Sequence, residues 1–472
     1  MKTPLKKPTT HPLRTGMTAL ALLLALPMAA SAQLVNLDPV VDAVGPAISD
    51  GISESERLTR DLERRAAQAA RRAERRAQQQ ARQLSDAAQQ VTGAATDTLR
   101  RIPVLNGGGA VALVEVEVAP GEWAVERQWL AMLDTGELAL LQKLDIEILE
   151  QTDYTRLGLS LLRFRVPAAM DSRGALSRHL PASLVERFDR NHIFRPQKAP
   201  ESSVGSDVPA AVSSICDAPV SIGMVDTAIQ LDHPAFRDHR IEQRSFVDPS
   251  LPQPDAHGTA VAGVLIGAAP AGLSRLPKAT LYNASVFYPR DQFAQGATMM
   301  HLVGALDWLL SVDVQVINMS LSGPSNRVLE TALKRVLAQG KIVVAAAGNG
   351  GPAAPPLYPA AYPGVISATA VDEQMNVYRW ANRGDYVDFA AHGVQVMTAR
   401  SGSRFGRESG TSIAAPIVSA FAACEQAANP GLAIDQKAAT KTSSAVMEKL
   451  AARASDLGEP GRDPVFGYGF LD

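Results

Sequence analysis

From Cys216 onward the chain alternates short, almost unbroken apolar runs with stretches of helical period. The runs at 220–225, 280–287, 314–319, 342–347 and 365–371 are too continuous for strands with one wet face, so both faces are predicted to be covered. Between them, 298–310 and 327–338 place apolar residues every three or four positions, as amphipathic helices do. Buried strands interleaved with helices predict an α/β fold with a parallel sheet sandwiched by helices, in which ligands bind beyond the carboxyl ends of the strands.

Upstream the pattern is different. Pro103 and the run Gly107-Gly108-Gly109 open a second segment reaching to Gln197. There, 111–118 alternates like a strand, 134–143 and 176–184 read as helices, and 146–150 and 159–166 read as further strands. Residues 103–197 are therefore expected to form a smaller α/β domain before the large one at 216–472, with the Pro-, Ser- and Ala-rich stretch 198–215 as an exposed linker. Residues 33–102 form an Ala/Arg-rich arm, helical or disordered, whose proline-free part from Glu54 has only a thin apolar seam of Leu58, Leu62, Ala66, Ala69 and Ala73. It reads either as a solvated segment or as an arm that binds a partner or surface through its arginines.

Composition changes this picture in three places. A chain of 472 residues with a net charge of −2 has room for two or three domains and gives no whole-chain argument for binding nucleic acid or an anionic membrane. Residues 1–32 read as a secretory signal: Lys2, Lys6, Lys7 and Arg14 precede an apolar run, and Ala30-Ser31-Ala32 offers a cleavage site. No other stretch is long and uncharged enough to span a bilayer, so the protein is expected to be exported, secreted or periplasmic, with no stable membrane span after signal removal. Cys216 and Cys424 are the two cysteines; their spacing leaves open one bridge or two separately buried thiols.

Three polar residues interrupt the apolar frame. Asp226 ends the first predicted strand, in Gly223-Met224-Val225-Asp226-Thr227; an acid there must find a partner, as a functional carboxylate or as a helix cap. His257 stands in His257-Gly258-Thr259-Ala260-Val261-Ala262-Gly263, where small residues let a helix pack closely. It is either a packed structural residue or a proton-transfer group, since imidazole titrates near neutrality. Ser412, in Gly410-Thr411-Ser412-Ile413-Ala414-Ala415-Pro416, opens an apolar helix. It is a cap or a nucleophile, with Gly410 allowing close approach and the helix dipole favouring negative charge beside the hydroxyl.

In this order and with these separations the three motifs resemble the subtilisin-like serine proteases over about residues 216–472. The chain order Asp, His, Ser is the one known for subtilisin and is carried over from it. The resemblance implies Ser412 as nucleophile, His257 as general base and then acid, and Asp226 as the group holding the imidazole tautomer. It implies that Asn349, in Ala347-Gly348-Asn349-Gly350, donates its amide hydrogen to the oxyanion together with the Ser412 backbone N–H. Ser320, Leu321, Ser322 and Gly323 look like the edge that pairs with an extended peptide, and 348–353 like the lining of the primary specificity pocket. Residues 103–197 resemble the family's inhibitory propeptides in length, position and element order, with a structural accessory domain as the alternative.

Two positions depart from the commoner family pattern: Ala260 where many relatives carry histidine, and His392 where proline is usual. Neither falls on the triad. No loop matches a calcium site, and neither metal nor cofactor is expected. The resemblance thus implies an exported serine endopeptidase that acts on polypeptide substrates through an acyl-enzyme, is made as a zymogen, and has its own propeptide as intramolecular inhibitor. Self-cleavage is expected between Phe194 and Cys216. Two other readings stay open: a peptide-binding pseudoprotease, and an envelope interaction protein centred on the arm.

Overall fold

The computed structural model of the chain describes residues 100–133, 135–197, 213–268, 274–291, 294–429 and 439–472. The stretch read as a signal at 1–32, residues 33–99 of the expected arm and 198–212 of the expected linker lie outside the described residues.

The first six strands are β1 (Arg101–Leu105), β2 (Val111–Ala119), β3 (Glu122–Met132), β4 (Glu147–Tyr154), β5 (Leu159–Arg165) and β6 (Phe188–Pro196). They pair antiparallel in the order β1-β2-β3-β6, with β5 also on β3 and β4 on β5. Helix Thr135–Leu141 follows β3. The span read as one helix over 176–184 is two short ones, Arg173–Leu176 and Ala182–Val185, with Pro181 before the second. A residue with fixed φ and no N–H suits the start of a helix and not its interior. Trp129, Phe164, Phe188 and Leu176 meet in the core beneath these helices. The apolar period predicts neither β3 nor β6. In β3 the register shifts between Ala124 and Trp129, where Arg127 takes a φ of 56°, so the alternation breaks.

The large unit contributes β7 (Ser221–Asp226), β8 (Arg240–Ser245), β9 (Thr280–Ser285), β10 (Tyr288–Pro289), β11 (Gln295–Thr298), β12 (Val316–Met319), β13 (Leu321–Ser322), β14 (Ile342–Ala346), β15 (Ile366–Val371) and β16 (Phe389–His392). Seven of them form one parallel sheet in the order β16-β15-β14-β12-β7-β9-β8. Alternate residues serve opposite faces. Ile222, Met224 and Val344 pack under helices Ala256–Leu265 and Thr411–Ala428, whereas Val225, Ile317 and Val343 pack under Met299–Ser311 and Arg327–Leu337. The expected α/β sandwich is therefore present, and its strands read as continuous apolar runs because both faces are dry. Beyond the sheet lies a hairpin of β17 (Val396–Arg400) and β18 (Arg404–Glu408). Cys216 and Cys424 are bonded, with Cα atoms 6.0 Å apart, which ties the start of this unit to helix Thr411–Ala428.

Residues 97–472 form one compact unit. Its two parts share β6, which pairs with β3 at Phe188–Arg190 and again at His192, and then runs between β11 (Ala297 with Phe194, Thr298 with Ile193) and β13 (Leu321 with Pro196, Ser322 with Arg195). Polar groups lock the seam. Asp189 accepts the backbone N–H of Arg327 at the start of a helix, at 2.9 Å, where a carboxylate complements the dipole. Asp307 accepts the N–H groups of Arg156 and Leu157 at 2.8 and 2.9 Å. Among the described residues no helix is long and apolar enough to cross a membrane.

Candidate active site

Asp226 is the last residue of β7, at the place where the chain from β7 leads toward β8 at one edge of the sheet while that from its neighbour β12 leads toward β14 on the other side. It is fully buried. Its Oδ1 accepts from the Thr227 N–H and from Nδ1–H of His257, both at 2.7 Å, so the imidazole is held with its proton on Nδ1. Thr227 fastens the two motifs together: its hydroxyl accepts the Gly258 N–H at 2.7 Å and donates to Ala228 O at 3.0 Å. A Cβ at Gly258 would stand 2.5 Å from Thr227 O, and one at Gly263 2.4 Å from Thr398 Oγ1. The small residues of the histidine motif are thus what lets helix Ala256–Leu265 approach both β7 and β17.

Ser412 is the second residue of helix Thr411–Ala428 and is 1% exposed. The preceding Gly410 takes a φ of 139°, a conformation that disfavours any side chain. Pro416 has no N–H to give the Ser412 carbonyl four residues back, and the Ser320 hydroxyl donates to that carbonyl instead, at 2.9 Å. Ser320 is itself held by the Asn318 amide at 3.0 Å. The nucleophile candidate is therefore braced through the end of β12, the strand next to β7 in the sheet.

Asn349 follows β14 in a turn of glycines. Its Oδ1 accepts from both the N–H and the hydroxyl of Thr411, each at 3.0 Å. Two donors on one side fix the amide, so Nδ2 must face the other way. There it donates to the main-chain carbonyl of Gln197 at 2.9 Å, and the Ser412 hydroxyl donates to the same oxygen at 2.6 Å. His257 Nε2 is buried with no hydrogen-bond partner among the described residues. The serine hydroxyl thus points at the carbonyl oxygen of a peptide segment rather than at the imidazole.

That peptide is the end of β6. Gln197 N–H donates to Ser320 O at 3.2 Å, and the pairing continues through Leu321 and Ser322 of β13. The structure brings Ser320, Leu321, Ser322 and Gly323 to this edge as one strip. Phe194, fully buried, lies across Gly323, where a Cβ would come within 2.5 Å of its ring. Beside His257 and Ser412 a cavity of about 180 Å³ opens toward Arg400, Arg404 and Glu408 of the β17–β18 hairpin. Among the described residues no group of three His, Cys, Asp or Glu is placed to hold a metal ion. His392 packs edge-on against Phe470, 4.9 Å between centroids.

Sequence reasoning missed Gln197, Thr227 and Thr411 as members of the site. Thr227 and Thr411 lie inside the quoted motifs, and their hydroxyls could have been weighed there. Gln197 carries no local signal.

A model of the subtilase family matches residues 217–469. Among curated proteins, the chain is 32% identical over 221 residues to minor extracellular protease Epr of Bacillus subtilis (strain 168), spanning 46% of this chain and 32% of that protein. It is 30% identical over 249 residues to subtilisin E of the same strain, spanning 51% of this chain and 61% of subtilisin E. It is 31% identical over 250 residues to subtilisin DY of Bacillus licheniformis, spanning 51% and 86% respectively. With a family model covering more than half of its length, over the same sheet and the same three motifs described above, the chain belongs to the subtilase family.

Proposed function

We propose that the chain is a serine endopeptidase exported as a zymogen, and that the peptide bond after Gln197 is its first substrate. The observation that carries this reading is the position of the Gln197 carbonyl, within hydrogen-bond reach of both Asn349 Nδ2 and Ser412 Oγ. For reaction, the hydroxyl turns from that oxygen to His257 Nε2. As Oγ bonds to the Gln197 carbonyl carbon, Nε2 takes its proton and Asp226 stabilises the imidazolium. The carbonyl oxygen becomes an oxyanion against Asn349. His257 then protonates the leaving nitrogen of Lys198 and the C–N bond breaks, leaving an ester on Ser412. Water, deprotonated by His257, cleaves that ester and frees the carboxylate of Gln197.

The same geometry supports inhibition. Residues 103–197 keep β6 in the cleft through pairing on both edges, so the site is closed to other chains until they leave. The N-terminal signal supports export, and one similar protein is named extracellular. A peptide-binding pseudoprotease draws on one observation, the hydroxyl bonded to a carbonyl with His257 Nε2 unpaired. Treatment with a fluorophosphonate separates the two. Modification of Ser412 that disappears in His257→Ala supports the enzyme; an inert Ser412 in a chain freed of residues 103–197 supports the pseudoprotease.

A further inference from the structure

We propose that the primary specificity pocket reads the carboxamide of glutamine and that Ser322 is its specificity-determining side chain, an inference that rests on the endopeptidase reading above. Gln197 does not merely place its carbonyl at the nucleophile. Its side chain turns into the pocket, where Oε1 accepts the backbone N–H of Asn349 at 2.7 Å and Nε2 donates to Ser322 Oγ. Asn349 N–H can only donate, so the carboxamide oxygen is fixed toward it and the NH2 toward Ser322.

Both partners are preset. Asn382 takes the Gly350 N–H on its Oδ1 at 2.7 Å and gives its own N–H to Gly348 O at 3.0 Å, so the residues flanking Asn349 are clamped and its N–H is aimed. Ser322 is 5% exposed and its backbone is paired in β13, which leaves only its hydroxyl to face the peptide. A methionine of equal length would leave the Asn349 N–H without an acceptor, and a buried donor left unpaired weakens the complex. A glutamate would bring a carboxylate to a pocket whose side chains bonded to Gln197 are Asn349, Ser322 and Ser412, none of them cationic. Substrates are therefore peptides with glutamine before the scissile bond.

The test uses the full chain and follows self-processing as a first-order rate. Gln197→Met is expected to slow it by about ten- to a hundredfold, and Gln197→Glu by at least about a hundredfold. In a Ser322→Ala chain the ratio of the glutamine rate to the methionine rate should shrink by about tenfold. Peptides Ile-Phe-Arg-Pro-Xaa-Lys added to the processed wild-type chain should give the same order with no change in the protein. Methionine processed as fast as glutamine, or a difference unmoved by Ser322→Ala, overturns the proposal while the endopeptidase reading stands. Labelling of Ser412 by a fluorophosphonate keeps the two apart: a chain that labels yet leaves Gln197–Lys198 uncut sinks the pocket assignment and the self-cleavage site but leaves the serine endopeptidase reading, and a chain that neither labels nor cuts sinks all of them.

Discussion

Asn349 joins two halves of the site with one side chain. Thr411 holds its oxygen and the Gln197 carbonyl receives its NH2, so in the proposed reaction the donor would be in place before charge develops. Replacing it by Ala should slow self-processing by about a hundred- to a thousandfold, the magnitude established for such a donor in subtilisin, with little change in affinity for added peptides. Stopped-flow or gel-based single-turnover rates decide this, and weaker peptide binding at an unchanged rate would make Asn349 a binding group only. At this scale the sequence was most readable. Asp226, His257 and Ser412 each sit where a polar residue interrupts an apolar strand end or opens an apolar helix, and their neighbours must be small because backbone approaches them. Gln197 was invisible for a physical reason: nothing in its own surroundings constrains it, and its role arises from where β6 delivers it.

Among the elements, β7, β9, β12, β14 and β15 declared themselves because burial on both faces keeps them largely apolar, whereas the four-residue β16 was too short to be read as a strand. β8 did not declare itself, since as an edge strand, Arg240–Ser245, it is polar along most of its length. β6 did not either. Its Asp189, Asn191 and His192 are buried yet paired across the seam, so charged and polar residues stand where an apolar alternation would have marked a strand. The choice between bridged and separate cysteines needed geometry, which the structure supplies by placing Cys424 on the serine helix beside Cys216. The bond closes a loop across a separation of 208 residues, so removing it frees much chain entropy in the unfolded state. Cys216→Ser with Cys424→Ser, in an uncut Ser412→Ala background, should lower the unfolding free energy by about 2–5 kcal/mol. Equal denaturant midpoints with and without the bond would show that it contributes nothing to stability.

At the scale of the whole molecule, β6 pairs with strands of both parts, and the buried histidine on it is expected to make the uncut chain sensitive to acid. Burial pushes the His192 pKa down from 6.5 to about 4, with Asp189 opposing and Arg190 and Arg173 adding to the fall. His301, also buried, is pushed down to about 4. A folded state that accepts only the neutral imidazole keeps its full stability above the unfolded pKa and loses it as pH falls from about 6.5 toward 4. Glu115 and Asp388, whose carboxyl pKa values burial raises, work in the opposite direction. Uncut Ser412→Ala protein should therefore melt lower at pH 5 than at pH 7.5, and His192→Gln should flatten part of that difference. Identical pH dependence in the two proteins would remove His192 from the account.

The central claim is that Ser412 cleaves the chain's own backbone after Gln197. Intact mass and N-terminal sequence of the purified wild-type and Ser412→Ala chains test it most directly. The account predicts a wild-type fragment beginning at Lys198 and a Ser412→Ala chain in which residues 103–197 remain covalently attached; a Ser412→Ala chain cut at the same bond with no added protease would contradict it.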